Sequence, residues 1–358
     1  MATVTVPGGG SDTLPGSFAP QQNLRTAQFL SRQFGTVAAS NSIPDGTNTI
    51  IGEDGATSAF SIQSGTEGLY FVSGSNSVGG AISIAGGNNT LAGGHAGAPS
   101  GLMGNWTITT SGGQTVMWLG NGADTVVTGG SDTVHAGSGN LLIQVASGNT
   151  HGPTVDASSG FVTFFGGESG GARISNGGSS GGVIQLGTGG GNVARAGTGN
   201  TTLIGGGGGD VLYANTVTGA AGTAVYGTGN DTLIGGGRGA DTFFGFSSIS
   251  GNGDVLIDVS AARTGQVVVL GGGNDTVKLD SAGADSVVAS ATRTDGDGKD
   301  LLVGWRSNDV LYLDGYAAAP TFTRTSAGIQ ATLSDGTSIT FAGVSNQSAI
   351  HIVFGKPA

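Results

Sequence analysis

Aspartates recur behind glycines at near-constant intervals in this chain. The stretch YGTGNDTLIGGGRGADTFFG, residues 226–245, states the unit twice: glycines, one or two small polar residues, aspartate, threonine, a large apolar residue, glycine. Asp124, Asp132 and Leu141 follow one another at intervals of 8 and 9; Thr201 and Asp210 are 9 apart. Asp231 and Asp241 are 10 apart, as are Asp275 and Asp285, and Asp300 and Asp309 are 9 apart. A carboxylate is a hard oxygen donor. Glycines ahead of it permit positive φ and close backbone approach, so turn carbonyls can converge on the same point. An all-oxygen donor set suits Ca²⁺ better than a transition metal. On this reading the metal ligands are Asp124, Asp132, Asp210, Asp231, Asp241, Asp254, Asp275, Asp285 and Asp300. The turn glycines Gly208, Gly227, Gly229, Gly237, Gly239, Gly271 and Gly273 shape the site. Asp309 lacks the preceding glycines and is a weaker candidate. Carboxylates stacked on neighbouring turns repel one another, so the fold is expected to depend on several bound calcium ions.

The elements that must position these groups follow from the same spacing. Two residues after each aspartate position stands an apolar residue: Val126, Val134, Ile143, Leu203, Leu212, Leu233, Phe243, Leu256, Val277, Val287, Leu302 and Leu311. A nine-residue unit is a turn plus a short strand, and two units make one coil of a right-handed parallel roll with a thin apolar core. The expected fold is all-β: a parallel β-roll or β-helix solenoid with one short N-terminal helix and a C-terminal antiparallel cap. Residues 1–18 read as a strand, ATVTV, and a glycine-rich tether. Residues 19–35 read as a helix, with Pro20 in its first turn, Gly35 at its C-cap and a stripe of Leu24, Ala27, Leu30 and Phe34. Residues 36–115 read as degenerate solenoid, 116–315 as the calcium-binding roll, and 316–358 as a β cap and export signal. Strict alternation over 321–354 around Asp335-Gly336 predicts a hairpin or meander.

The unit GTGNDTLIGGGRGADTFFG resembles the nonapeptide G-G-x-G-x-D-x-U-x of the repeats-in-toxin (RTX) calcium-binding family. The resemblance covers roughly residues 85–315 and is best over 197–245 and 271–311. Asn89, Leu141 and Thr201 stand where the family has aspartate. The resemblance implies type I export with an uncleaved C-terminal signal, folding outside the cell, and an extracellular or cell-surface location. The family's calcium sites imply folding coupled to extracellular calcium.

Composition narrows the function. Glycine is 74 of 358 residues, about three times ordinary usage, yet hydrophobic residues are 37% and charged residues only 10%, which separates the chain from disordered sequences. A net charge of −11 argues against nucleic acid and anionic lipid as partners. There is no cysteine, hence no disulfide framework. MATVTVPGGG has neither the charged nor the apolar segment of a standard leader, and no run is long enough for a transmembrane segment.

The remaining motifs read as structural. GESGG (167–171) and GGSSG (177–181) match G-x-S-x-G, but no strand–turn–helix elbow surrounds them. His95, His135, His151 and His351 are scattered, and Trp106, Trp118 and Trp305 read as strand-packing residues rather than a sugar platform. The expectation is a non-enzymatic, self-associating secreted protein of an extracellular filament, biofilm matrix or S-layer. Donation of the N-terminal strand to a neighbour's open edge is one route to assembly, and a cell-surface polysaccharide is a second partner. A calcium-dependent adhesin or ice- or glycan-binding module is the alternative, with a β-helical polysaccharide-acting enzyme behind it.

Overall fold

The computed structural model describes residues 79–357 except 95–101, 103, 216–221, 238, 246–252 and 292–297; before residue 79 it describes seven short strands. The helix expected over 19–35 lies outside the described residues. Two compact units are present, Met1–Ser180 and Gly181–Ala358. Both are parallel β-solenoids.

In the first unit, each coil contributes a strand to each of two sheets. One sheet includes Gly80–Ile84, Trp106–Thr110, Asp124–Thr128, Leu141–Val145 and Val162–Phe165. The other includes Gln114–Trp118, Thr133–Ala136, Thr154–Ala157 and Arg173–Asn176. Side chains alternate in and out, so Trp106–Thr110 is buried at its first, third and fifth residues. Equivalent positions stack along the coils. Ile82, Ile108, Val126, Ile143 and Phe164 form one inward column, and Met117, Val134, Val155 and Ile174 the other. All nine are buried.

The second unit repeats the plan with shorter strands. Its inward columns are Ile184, Leu203, Val225, Phe243, Val268, Val287 and Leu311 on one sheet, and Ala194, Leu212, Leu233, Ile257, Val277 and Leu302 on the other. The apolar residues read from the repeat are thus buried, with one correction. Leu256 is half-buried on the outer face, and Ile257 takes the core position opposite Leu233. The repeat over 253–258 is aligned on Val255 rather than Asp254. A one-residue slip moves every side chain to the other face.

At the C-terminal end the chain reverses. Thr321–Arg324, Gly328–Thr332 and Ser338–Ala342 form an antiparallel meander around the Asp335-Gly336 turn, where Gly336 has φ 94°. Ser338–Ala342 also pairs in parallel with Lys299–Val303, and His351–Phe354 with Val310–Asp314. Trp305 meets the buried Phe341 edge-on at 4.7 Å. These strands cover what is otherwise an open solenoid edge. At the other terminus Ala2–Thr5 is a strand, as expected, but its partner is Ser11–Leu14, antiparallel and in register Ala2 to Leu14. Part of the expected tether is therefore a strand of a hairpin. No helix among the described residues is long and apolar enough to cross a membrane.

Candidate functional site

The repeat aspartates stand at the entry to strands, where the turn of one coil meets the coil before it. Asp124, Asp132, Asp210, Asp231, Asp241, Asp275, Asp285, Asp300 and Asp309 are all buried, none more than 4% exposed. Each carboxylate receives a backbone N–H from the neighbouring coil. In the second unit, Thr223 N–H donates to Asp241 (2.7 Å), Asp241 N–H to the Gln266 side-chain carbonyl (3.1 Å), Gln266 N–H to Asp285 (2.8 Å) and Asp285 N–H to Asp309 (3.0 Å). On the other sheet, Asn192 N–H donates to Asp210 (2.8 Å) and Asp210 N–H to Asp231 (2.9 Å). Val255 N–H donates to Asp275 (2.9 Å) and Asp275 N–H to Asp300 (3.0 Å). In the first unit Trp106 N–H donates to Asp124 and Thr115 N–H to Asp132. The result is a ladder in which each side chain stitches two coils.

The second carboxylate oxygen closes the turn that precedes it. Oδ2 of Asp210, Asp231, Asp275 and Asp309 accepts the N–H of Gly206, Thr228, Gly271 and Arg306, respectively, at 2.8–2.9 Å. Asp132 instead takes the Thr110 hydroxyl at 2.6 Å. Buried N–H groups left unpaired are costly, and these aspartates satisfy two apiece.

Two residues bonded to the ladder were not named from the sequence. Gln266 occupies a carboxylate position with a neutral amide; Val268, buried two residues later, was the readable mark. Asp280 is 2% exposed; its Oδ1 accepts the N–H groups of Ala282 and Gly283, and its own N–H reaches Oδ2 of Asp285. Asp254, by contrast, is exposed and outside the ladder, where it accepts the Asn274 N–H at 2.7 Å.

The glycines work mainly by being small. Of those named from the sequence, Gly237 and Gly273 have positive φ, at 86° and 105°, whereas Gly208, Gly227, Gly229 and Gly271 do not. A Cβ on Gly271 would lie 2.2 Å from the Gly245 carbonyl, and one on Gly229 3.1 Å from the Gly208 Cα. Several turn carbonyls are also engaged: Gly229 accepts from Asp231, Gly273 from Lys299, and Gly239 from Thr264 and Gln266. Gly205 and Gly245 face the ladder itself: a Cβ would sit 2.3 and 2.4 Å from Oδ2 of Asp231 and Asp275. Gly245→Ala is expected to displace the carboxylate and lower the melting temperature by about 5 °C, from roughly 1–3 kcal/mol of overpacking. A thermal circular dichroism scan that matches the parent contradicts this packing.

Burial dominates the electrostatics. Desolvation pushes Asp124 up to about 7, and Asp241 and Asp285 up to about 6, against the backbone hydrogen bonds that pull the other way. Asp132, Asp210, Asp231 and Asp309 are raised for the same first reason. The charges of Asp280 and Asp309 raise Asp285 further. Holding Asp241 and Asp285 ionised at neutral pH costs roughly 5 kcal/mol, a large part of a domain's net stability.

Calcium chemistry can be set against this geometry. Oδ2 of Asp280 is buried without a hydrogen-bond partner; Oδ2 of Asp241 and the Thr223 hydroxyl lie close enough for the hydroxyl to favour the ionised carboxylate, but short of hydrogen-bond geometry, and neither has another partner. Such orphaned hard oxygens fit a cation. Among the described residues no three acidic or histidine side chains form a metal-holding group. Carboxylates alone therefore do not make a shell of six to eight oxygens, and backbone carbonyls must complete it.

The serine motifs hold no nucleophile elbow. Ser169 is fully buried and its hydroxyl donates to Gly166 O within a turn, and Ser179 lies exposed in a bend that leads into the strand Gly182–Gln185 rather than a helix. Trp106 and Trp305 are buried, whereas Trp118 is half-buried on an outer face. Compared with protein-family models, curated proteins and solved structures, the chain matches none.

Proposed function

We propose that this chain is a non-enzymatic secreted structural protein of the RTX type. It binds several Ca²⁺ ions at its repeat turns and assembles with itself into an extracellular filament, biofilm matrix or S-layer. The observation that carries the reading is the buried carboxylate ladder with orphaned oxygens at Asp241 and Asp280. A chain of net charge −11 that buries its acids needs protons or cations to offset them. Asp241 with Thr223, and Asp280 beside Asp285 and Asp309, are the positions where a cation finds unsatisfied oxygen. Calcium supplies positive charge there, and this chain's residues supply the stacked, dehydrated carboxylates.

Support for self-association comes from an outer face of the second unit. Ile204, Tyr226, Phe244, Val269, Val288, Tyr312 and Val353 are adjacent in register on consecutive strands, a row without a charge in which Val288 is buried and the other six are half-buried. Tyr226 and Phe244 stack at 4.3 Å with planes 3° apart. The uninterrupted stretch from Ile204 to Val269 is apolar surface of the kind that marks interfaces, and it lets acidic chains meet without opposing like charges. Strand donation by Ala2–Thr5 requires the hairpin with Ser11–Leu14 to open first.

Chelator-stripped protein given millimolar calcium is expected to form filaments or lattices by negative-stain electron microscopy. Tyr226→Lys with Phe244→Lys is expected to abolish them and leave the circular dichroism spectrum unchanged. Monomers in both calcium conditions overturn the assembly role.

A further inference from the structure

We propose that a cleft on the outer face of the first unit, around Trp118, His135, Asp156 and Ser158, binds one ring of a neutral polysaccharide. The inference needs neither calcium nor a second copy, and so stands apart from the assembly reading. The register sets Trp118 beside His135, His135 beside Asp156, and Asp156 beside Ser175 on consecutive strands. All are outward positions, half-buried or exposed. The indole and imidazole stack at 4.1 Å with planes 21° apart. Beside them opens a cleft of about 240 Å³ lined by these two rings, Asp156, Ser158 and the strand ends Leu119 and Gly137.

The chemistry of the lining selects the ligand. Among the described residues no hydrogen bond engages the His135 ring nitrogens or the Asp156 carboxylate. The Ser158 hydroxyl donates to the carbonyls of Ala136 and Gly137 at 3.2 and 3.0 Å, which leaves its oxygen free to accept. A neutral imidazole offers one donor and one acceptor, and a carboxylate accepts twice or more. Donors and acceptors together suit hydroxyl groups, which both give and take. The rings supply the apolar wall that the C–H face of a pyranose requires. Anions are disfavoured by Asp156 and by the net charge of −11. Drug-sized ligands occupy clefts of roughly 300–1,000 Å³; this smaller, open one takes a single sugar unit with its chain running into solvent. The adjoining outward positions Val116, Thr133 and Thr154 are uncharged and run in register to the exposed Arg173, a path along which such a chain can lie.

The test uses tryptophan as reporter. Trp106 and Trp305 are only 1% and 7% exposed, so acrylamide quenching of the full-length protein reports chiefly Trp118. Glucose, galactose, mannose, cellohexaose, xylohexaose and mannohexaose are titrated, with tetramethylammonium chloride as a separate arm. At least one sugar is expected to protect the fluorescence. Asp156→Ala is expected to weaken that sugar about tenfold or more, the loss of hydrogen bonds to a charged acceptor, with an unchanged circular dichroism spectrum. Trp118→Phe is expected to remove the protected signal. No protection by any sugar, equal affinity in Asp156→Ala, or protection by tetramethylammonium alone overturns the proposal; the last result makes the cleft a cation site.

Discussion

In chelator, raising the pH from about 4 to about 8 is expected to lower the melting temperature by about 10–20 °C, and calcium is expected to restore most of it at the higher pH. The sign follows from the direction of the shifts. Asp124, Asp241 and Asp285 have folded values near 7, 6 and 6, above the ordinary carboxylate value of 3.8. Between those limits the folded state holds more protons than the unfolded one, so stability falls as pH rises. The loss starts near pH 4 and is complete once the pH passes the folded values, near 7. A deficit of roughly 5 kcal/mol in one unit corresponds to the stated range at 2–4 °C per kcal/mol. Calcium binds the ionised form, so its stabilising effect should grow with pH while the proton's fades. Melting curves at the two pH values, each with chelator and with calcium, read both slopes. A midpoint that climbs with pH in chelator contradicts the assignment of the ladder as desolvated acid.

The second large effect separates two roles of one residue. Asp285→Ala leaves the N–H groups of Gln266 and Asp280 without an acceptor. Each unpaired buried donor costs about 1–3 kcal/mol, so the variant should lose roughly 2–6 kcal/mol with or without calcium. Asp285→Asn keeps an acceptor for Gln266 N–H and removes the charge, a relief of desolvation that offsets the loss of the Oδ2 that accepts from Asp280 N–H. Gln266 already does this one coil away, where its amide carbonyl accepts from Asp241. In chelator near pH 8 the Asn variant should melt at or above the parent, while its gain from calcium shrinks. Chemical denaturation of both variants, with and without calcium, measures the two terms. If Asn proves as damaging as Ala in chelator, the ladder is not a neutral hydrogen-bonding device, and the ionised carboxylate itself is required.

Much of this was legible because a solenoid repeats its physics. An apolar residue two positions past each aspartate is buried when strands stack in parallel register, and Val126, Leu212 and Phe243 are. Alternation over 321–354 was equally readable, since a meander with one face on the core keeps a period of two. What failed to show was whatever the neighbouring coil decides. Asp254 has the right chemistry and spacing, but pairing of Leu233 with Ile257 turns it outward. Gln266 carries no charge and follows a single glycine, yet it fills a rung. Gly271 could serve either positive φ or close backbone approach, and it is the Gly245 carbonyl below it that decides for close approach. The partner of Ala2–Thr5 was hidden in SDTL, a segment whose flanking glycines and prolines resemble a linker. The sequence also did not tell the three tryptophans apart, because burial depends on strand parity: Trp106 starts a strand facing inward and Trp118 ends one facing outward.

The most direct measurement is the number of calcium ions held by the folded chain. Chelator-stripped protein is dialysed to equilibrium near pH 8 against buffered millimolar calcium, and bound metal is counted by elemental analysis alongside the circular dichroism spectrum. The account predicts several ions per chain, a β-sheet signal that strengthens with calcium, and fewer ions in Asp241→Asn and Asp285→Asn. A chain that is fully folded in chelator near pH 8 and retains no calcium contradicts it, and the buried aspartates are then backbone acceptors alone.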